Sequence, residues 1–223
     1  MDINLNTVIL MEDIHQERNY GFLEYWIKYW RTLIMWWFRR PIKNRKDLPF
    51  LLNILGLKGE GAEIGVSCGA YSKILLDNSR LSKLHMIDPW ISQPQEIYLD
   101  ETNVEQKEHD DRYMHVTRLF ENEGDRCHIM RMTSEEAAKE IPDNSLDFVY
   151  IDANHSYEAS SQDIRLWWPK MKKGGIFSGH DYTNGGPYNF GVKRAVDEFI
   201  SREGENLYVI KHKAPSWYLV KSS

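Results

Sequence analysis

A short stretch of the chain combines an acid with two glycines four positions apart. It reads Ala62-Glu-Ile-Gly-Val-Ser-Cys-Gly-Ala-Tyr-Ser72 and leads into a helix-compatible run. Gly65 and Gly69 suit a sharp turn from a buried strand into a helix, where the backbone must approach a ligand closely. The first N–H groups of such a helix point into the same space, and Glu63 there can accept hydrogen bonds from an amine or a hydroxyl. The stretch therefore predicts a site for a nucleoside-type cofactor.

Four further polar side chains stand where predicted strands end. They are Asp88, Ser134, Asp152 and Asp181. Asp88 follows Gly65 at about 20 residues, the separation at which a βαβ unit brings a carboxylate to ribose hydroxyls. A strand-ending Asp is also a common turn former, and Pro89 favours a turn in either case. Trp90 could cover one face of an adenine ring or fill the edge of the sheet.

Asp152 and Asp181 are expected on neighbouring strands, which lie about 4.8 Å apart. Two carboxylates so close repel each other unless a cation, a proton or a histidine lies between them. A divalent cation is one solution, and a protonated His155 or His180 is the other. His155 is also a candidate catalytic base, because an imidazole has an unperturbed pKa of about 6.5. The simpler interpretations are a hydrogen bond at a helix start for His155 and a core position for His180.

These side chains require an alternation of strands and helices to position them. The predicted strands are the run through Ile64 and Val66, then Ser82–Asp88, Cys127–Met132, Leu146–Asp152, Ile176–Ser178, Leu207–Ile210 and Trp217–Val220. The predicted helices include Lys46–Leu57, Ser72–Asp77, a segment capped by Thr133 and Ser134, Tyr157–Lys173 and Gly191–Ser201. Such alternation predicts a doubly wound, mostly parallel α/β sheet that binds ligands at the carboxyl ends of its strands. The last two strands are close enough to form a hairpin.

The bulk composition is that of a soluble globular protein of one domain with an appendage. The chain has 223 residues, 42% of them hydrophobic and 27% charged, with a formal net charge of −5. This charge argues against nucleic acid as a partner, because phosphate binding depends on Lys and Arg. Cys68 and Cys127 fall on predicted β-rich segments and are expected to be buried free thiols in a reducing compartment. Without a recognisable secretory signal, the expected location is the cytoplasm.

The most unusual segment is aromatic and lies in the predicted arm, residues 1–45, ahead of the main domain at 46–223. Residues 20–40 are aromatic or aliphatic almost throughout, and Glu24, Lys28 and Arg31 would form one narrow helical stripe. The charges argue against a membrane-spanning helix. Three interpretations stay open: packing as a lid or dimer arm, peripheral attachment to a membrane surface, or part of the core.

Three stretches carry a family resemblance. They are Asp147-Phe-Val-Tyr-Ile-Asp-Ala-Asn-His-Ser-Tyr157, Gly174-Gly-Ile-Phe-Ser-Gly-His-Asp-Tyr182 and Gly191-Val-Lys-Arg-Ala-Val-Asp-Glu-Phe199. Together with Glu63-x-Gly65-x-x-x-Gly69, which is not the dinucleotide pattern G-x-G-x-x-G, they resemble the class I S-adenosylmethionine-dependent methyltransferase group called methyltransferase 24. The resemblance covers residues 48–221 and implies a Rossmann-like seven-stranded sheet whose last strand is antiparallel.

The resemblance also implies roles for individual residues. Cofactor contacts are expected from Glu63, Gly65, Ser67, Gly69, Ser72, Asp88, Trp90, Ser134 and Asp152. Related catechol O-methyltransferases hold magnesium with an acid after strand four and an acid–amide pair after strand five. The matching positions here are Asp152, His180 and Asp181, so the second site departs from the family pattern. The family's catalytic lysine is replaced by His155, which would act with Asp152.

The resulting functional hypothesis is an O-methyltransferase for a small-molecule hydroxyl on a sugar or natural product. It would use S-adenosylmethionine, with Mg²⁺ or another divalent cation as a further cofactor. Two other classes stay open. One is a hydroxylase-like enzyme of the same fold, with iron held by His155, His180 and Asp152. The other is a non-catalytic module attached to membranes through the N-terminal segment.

Overall fold

The computed structural model of the protein describes residues 42–222. Their centre is a seven-stranded sheet with the strand order β3-β2-β1-β4-β5-β7-β6. The strands are β1 Glu60–Ile64, β2 Lys83–Ile87, β3 Cys127–Met130, β4 Leu146–Ile151, β5 Met171–Gly179, β6 Tyr208–Ile210 and β7 Ser216–Val220. Strands β1 to β5 pair in parallel, and β7 is antiparallel to both β5 and β6. The predicted mixed sheet and its terminal hairpin are therefore confirmed.

Helices cover both faces of the sheet. Within the described range the α-helices are α1 Leu48–Ile54, α2 Ala70–Asn78, α3 Gln106–Leu119, α4 Ser134–Glu140, α5 Tyr157–Trp167 and α6 Val192–Glu203. One core cluster packs α4, α5 and α6 on the sheet, around Val149 and Phe177. A second cluster packs α1, α2 and α3 on the opposite face, around Tyr150 and Ile176. This two-faced packing explains why β4 is buried along its whole length.

The fifth helix and fifth strand differ from the prediction. The helix was expected to run to Lys173, with Pro169 kinking or breaking it late, but α5 ends at Trp167 and a 3₁₀ turn follows over Trp168–Lys170. Pro169 explains the early end, because it lacks an N–H and cannot continue an α-helix. The strand begins at Met171 rather than Ile176, so Gly174 and Gly175 lie inside β5.

The two cysteines also correct the sequence analysis. Cys68 is exposed and lies in the loop after β1, while Cys127 is half-buried on β3. Both thiols are free. Only Cys127 approaches the expected environment, and burial raises the pKa of its thiol to about 11.

The chain reverses its direction of winding between β1 and β4, which lie side by side at the centre of the sheet. Ile64 is paired with Ile151 at their carboxyl ends, and the N–H of Asp152 donates to the carbonyl of Ile64 at 2.8 Å. Such a switch point leaves a crevice at the strand ends. Every predicted site residue except Ser72 lies in the last residues of a strand or within five residues of the strand's end.

The aromatic segment at residues 20–40 lies outside the described residues, as does almost all of the predicted arm. Its helix, and the boundary at residue 45, stay predictions. Within residues 42–222, no helix combines the length and the apolar run that spanning a bilayer would require.

Candidate active site

A cavity of about 550 Å³ opens at the carboxyl ends of β1, β2 and β4. Eight predicted site residues line it: Glu63, Gly65, Ser67, Asp88, Trp90, Ser134, Asp152 and His155. Gly69, Ser72, His180 and Asp181 are not among its lining residues. Ser72 and Gly69 instead donate hydrogen bonds to lining residues, Ser72 to Glu63 and the N–H of Gly69 to the carbonyl of Val66. Asp181 contacts His155, and His180 contacts Asp152.

The turn after β1 needs both of its glycines, for reasons of packing. Gly65 has φ 90°, and a Cβ there would lie 2.0 Å from the carbonyl oxygen of Asp152. Gly69 has φ 76°, and a Cβ there would lie 2.8 Å from the ring of Phe120. The glycine turn lies where the sequence predicts it. The glycines were expected to let the backbone approach a ligand, but the atoms that exclude a side chain belong to Asp152 and Phe120.

Asp88 ties the turn to the end of β2. Its Oδ2 accepts hydrogen bonds from the N–H groups of Val66 at 3.0 Å and Ser67 at 2.8 Å, and its Oδ1 accepts one from Trp90 at 2.8 Å. The Trp90 indole donates to the carbonyl of Ser67 at 2.8 Å and is fully buried. Oδ1 of Asp88 can accept one further bond, so the group can serve the turn and a ligand together.

Glu63 is a buried acid that lines the cavity, and its hydrogen-bond donor is a neutral group. It is 1% exposed and accepts a hydrogen bond from the hydroxyl of Ser72. Burial outweighs this bond and raises the pKa of Glu63 to about 8. Glu63 is therefore mostly protonated at neutral pH until a cationic ligand approaches it.

A second buried acid, Asp163 on α5, was not predicted. It lines the cavity beside Ser134, is 6% exposed and accepts a hydrogen bond from the Ser134 hydroxyl. That hydroxyl in turn accepts one from the Trp167 indole at 2.8 Å. Burial raises the pKa of Asp163 to about 6. An acid one turn before Trp167, on the apolar face of the helix, was a signal in the sequence.

A group of carboxylates and imidazoles adjoins the cavity at Asp152 and His155. His155 Nε2 lies 3.2 Å from Asp181 Oδ2 and 3.5 Å from Asp152 Oδ1, without a directed hydrogen bond to either. Its Nδ1 lies 3.1 Å from Asp100 Oδ2 and donates to it. His180 Nδ1 lies 2.9 Å from Asp181 and 3.5 Å from Asp152. We call these five residues the charge cluster.

Two residues that contact His155 or Asp152 were not predicted as site residues. Asp100 comes from the loop between β2 and α3, in an acid-rich run that gave no specific signal. Arg45 precedes α1, and its guanidinium donates to Asp152 Oδ2 at 2.7 Å. Neither position belongs to a motif. Both contact residues that are remote from them in the sequence, so only the tertiary fold brings them to the site.

Opposite charges dominate the protonation of the charge cluster. Burial alone would lower the pKa of His155, but its contacts with Asp100, Asp152 and Asp181 raise it to about 11. The pKa of His180 is raised to about 9 by Asp152 and Asp181, again against the effect of burial. The pKa values of Asp152 and Asp181 are correspondingly held well below their usual range. The pKa of His155 therefore lies above the unperturbed value of about 6.5 on which its candidacy as a base rested, and it fits the protonated histidine that was the alternative to a cation.

The charge cluster also has the donors for a metal ion. Ligand atoms of Asp152, His155 and Asp181 all lie within 4.8 Å of one another. Two carboxylates and one imidazole fit a divalent cation, and the imidazole favours a transition metal such as Mn²⁺, Fe²⁺ or Zn²⁺ over Mg²⁺. His180 was the predicted third ligand. His155 has this position in the three-residue set.

Comparison with known proteins identifies the fold and the family. The model of a methyltransferase domain family, methyltransferase 24, matches residues 62–182. Uncharacterized protein R132 of Acanthamoeba polyphaga mimivirus is 28% identical over 125 residues, which are 55% of this chain and 51% of that protein. The chain thus spans about half the length of this curated relative.

Solved structures agree with the family match. An O-methyltransferase from Bacillus cereus, solved with S-adenosylhomocysteine, has a TM-score of 0.57 and 12% identity over 96% of this chain and 97% of that one. The O-methyltransferase NovP has a TM-score of 0.57 and 18% identity over 80% and 78%. At such identities the likeness concerns the fold. With the family model matching more than half of its length, the chain belongs to the methyltransferase 24 family of class I S-adenosylmethionine-dependent methyltransferases.

Proposed function

We propose that this protein transfers the methyl group of S-adenosylmethionine to a hydroxyl oxygen of a small molecule such as a sugar or natural product. The observation that carries the proposal is a single cavity lined by two chemically different groups of side chains. Glu63 and Asp88 have raised pKa values, whereas Asp152 and His155 belong to the charge cluster. We call the first group the cofactor end and the charge cluster the reaction end. An acceptor beside the charge cluster would face a cofactor held at the β1 turn.

The cofactor end suits a cationic nucleoside. Asp88 keeps acceptor capacity for ribose hydroxyls, and the nearly neutral Glu63 can ionise when an ammonium group approaches. Asp163 and Ser134 offer acceptors to an exocyclic amine. Gly65 and Ser67 line the turn between these groups and leave the backbone accessible.

The reaction is a displacement at the sulfonium methyl group. The acceptor oxygen forms the new C–O bond, the C–S bond breaks and its electron pair stays on sulfur. The acceptor proton moves to a base. Much of the acceleration would come from aligning oxygen, methyl carbon and sulfur within the cavity.

His155 is the proposed base. Asp100 accepts a hydrogen bond from the Nδ1–H of His155. The other ring nitrogen, Nε2, therefore faces Asp152 and Asp181. The two acids also stabilise the imidazolium that forms after proton transfer. Because these contacts favour the protonated ring, His155 must lose a proton before each turnover.

A divalent cation, where bound, would lie between Asp152 and Asp181 and would lower the pKa of the acceptor hydroxyl. The third donor would be Nε2 of His155 or Nδ1 of His180. His155 Nε2 has one lone pair, so it serves either as a ligand or as the base. With His180 as the ligand, His155 stays available for the proton.

The hydroxylase alternative receives less support from this geometry. A non-haem iron site of that type uses two histidines and one carboxylate. The three-residue set in the described part of the chain has one histidine and two carboxylates.

For residues 20–40 we propose contact with a second copy or a membrane surface, as their composition suggests. Deleting residues 1–40 should change the mass in solution or the binding to liposomes, while the affinity for S-adenosylhomocysteine stays the same. An unchanged mass together with unchanged lipid binding would contradict this proposal.

Calorimetry and thiol labelling test the cofactor assignment on the full chain. S-adenosylhomocysteine should bind with micromolar affinity and NAD should not. Cys68 is exposed and lines the cavity, so the bound cofactor should slow its alkylation by N-ethylmaleimide. Cys127, half-buried elsewhere, is the internal control. Preferential binding of NAD, or labelling of Cys68 that ignores S-adenosylhomocysteine, would remove the assignment.

The acceptor class needs a turnover assay. A panel of sugars, catechols and other hydroxyl compounds is incubated with protein and S-adenosylmethionine, and products are identified by mass and by the position of the new methyl group. The proposal expects methyl ethers. A product methylated on nitrogen or carbon would replace O-methylation with another transfer.

A further inference from the structure

Arg45 enters the cavity from outside the family-matched region, residues 62–182. Its guanidinium NH1 lies 2.7 Å from Asp152 Oδ2, and the two side chains are 32% and 21% exposed. The guanidinium carbon lies 5.0 Å from the centre of the Tyr71 ring. The main-chain carbonyl of Arg45 accepts a hydrogen bond from the Tyr71 hydroxyl at 2.9 Å. Arg45 is thus fixed at both its backbone and its side chain.

The segment around Arg45 is locally ordered. Asn44 and Asp47 form a reciprocal capping box over the 3₁₀ turn Arg45–Asp47. The turn leads directly into α1, where Leu48 and Leu52 are fully buried. The backbone position of Arg45 is therefore set by its own segment and does not depend on the side-chain contact with Asp152.

Asp152 divides its two oxygens between different partners. Oδ1 faces His155 and His180, each at 3.5 Å. Oδ2 is bonded to Arg45. A cation bound between Asp152 and Asp181 would have to share Asp152 with the guanidinium, and two positive charges a few ångströms apart repel strongly in a half-buried site.

We propose that Arg45 and a divalent cation are alternative partners of Asp152, so that Arg45 is a positioning residue that weakens metal binding at the charge cluster. The inference rests on the metal-assisted form of the proposed function. When the guanidinium holds Asp152, the carboxylate is oriented without a metal. When a cation binds, the contact between Arg45 and Asp152 lengthens or breaks.

Mn²⁺ binding to the full chain, followed by the electron paramagnetic resonance of the free ion, measures the competition directly. Arg45→Gln should bind Mn²⁺ about tenfold more tightly than the wild type, since one half-buried ion pair is removed. Arg45→Lys keeps the charge and should stay close to the wild type. Asp152→Asn should lose the site. A merely structural role of Arg45 predicts the opposite sign, because a loosened site binds metal less well.

Arg112→Gln is the matched control. Arg112 also lines the cavity and carries the same charge, but its partners are the carbonyl of Thr102 and the carboxylate of Glu108. Its Mn²⁺ affinity should stay within about twofold of the wild type, so a general change in charge is separated from the loss of the Asp152 contact.

The outcomes also separate this inference from the proposed function. Equal or weaker Mn²⁺ binding by Arg45→Gln overturns the competition. An equal gain in Arg112→Gln overturns it too. Mn²⁺ binding by no variant overturns the inference and the metal, while S-adenosylhomocysteine binding and methyl transfer by the same samples decide the methyltransferase proposal independently.

Discussion

The acids of the cofactor end and those of the reaction end have pKa values that are shifted in opposite directions. Three acids at the cofactor end have raised pKa values, and they are Glu63, Asp88 and Asp163. Three acids at the reaction end have lowered pKa values, and they are Asp100, Asp152 and Asp181. Burial favours the neutral acid in both groups, so burial does not account for the difference.

The partners account for it. Glu63 and Asp163 accept from serine hydroxyls, and Asp88 accepts from three backbone N–H groups. These neutral donors do not outweigh desolvation. Asp152 and Asp181 instead contact imidazolium groups, and Asp152 also contacts a guanidinium, which hold the carboxylates ionised.

This contrast fits the two ligands of a methyl transfer. The cofactor brings a sulfonium and an ammonium charge, so a protonated Glu63 can supply negative charge when the cofactor arrives. The proposed acceptor is a neutral hydroxyl, which becomes negative as its proton leaves. The reaction end already holds cations, which stabilise that developing charge.

The largest expected effect tests the reaction end. His155→Ala should lower turnover by about 100- to 10,000-fold, the usual contribution of a positioned base. Its affinity for S-adenosylhomocysteine should stay within about twofold, because His155 belongs to the other end. Initial rates with an identified acceptor measure the first quantity and calorimetry the second.

His115→Ala is the control for this change, since His115 is an exposed imidazole on α3. Wild-type turnover by His155→Ala throughout pH 6 to 9 would show that the proton goes elsewhere. A large loss of cofactor affinity would show that the two ends are not independent.

The next effect tests the cofactor end. Asp88→Ala should weaken S-adenosylhomocysteine binding by about 1.5–3 kcal/mol, the range for hydrogen bonds to a charged acceptor. The same change frees the N–H groups of Val66 and Ser67, so the turn loosens as well. Asp77→Ala, an exposed change on α2, is the control in the same titration. Unaltered affinity in Asp88→Ala would remove Asp88 from the site.

A pH dependence sharpens the contrast. Glu63 has a raised pKa of about 8 and is protonated below it, whereas a bound ammonium favours its carboxylate. Binding should therefore release a proton, and affinity should rise with pH between 6 and 7.5 by up to about tenfold per unit. Calorimetry in two buffers of different ionisation enthalpy measures the proton directly. Glu63→Gln should abolish the release, and a proton count that is the same in both proteins contradicts the assignment.

The smallest expected effect is on stability. The folded pKa of Asp163, about 6, lies above the value of about 3.9 in an unfolded chain. Its contribution to stability is therefore complete below pH 4 and is lost as the pH rises through 6.

Asp163→Asn keeps an acceptor for Ser134 and does not ionise. At pH 7 it should be more stable than the wild type by about 1 kcal/mol, or about 2–4 °C in Tm. The difference should vanish near pH 4. Asp143→Asn, on an exposed ion pair with Lys170, is the control in the same melting curves. A destabilised Asp163→Asn at pH 7 would mean that the folded protein stabilises the carboxylate, which contradicts a raised pKa of Asp163.

Local sequence patterns were enough to predict the strand ends and the glycine turn that line the cavity. The residues that follow β1, β2 and β4 were found because strand ends, glycine turns and acids are adjacent in sequence. The end of α5 was misplaced because the apolar pattern continued past Pro169 into β5. Met171 is buried in either arrangement, so its hydrophobicity could not distinguish a helix from a strand.

The sequence by itself determined the order of the strands and helices, the turn at Gly65 and the acids that end the strands, because each depends on neighbours within a few residues. The tertiary structure alone decided which of those acids are ionised. Asp152 and Glu63 both follow or end central strands, yet Asp152 contacts Arg45, His155 and His180, while Glu63 accepts a hydrogen bond from Ser72. Protonation depends on distances of a few ångströms between residues remote in the chain, and folding sets those distances.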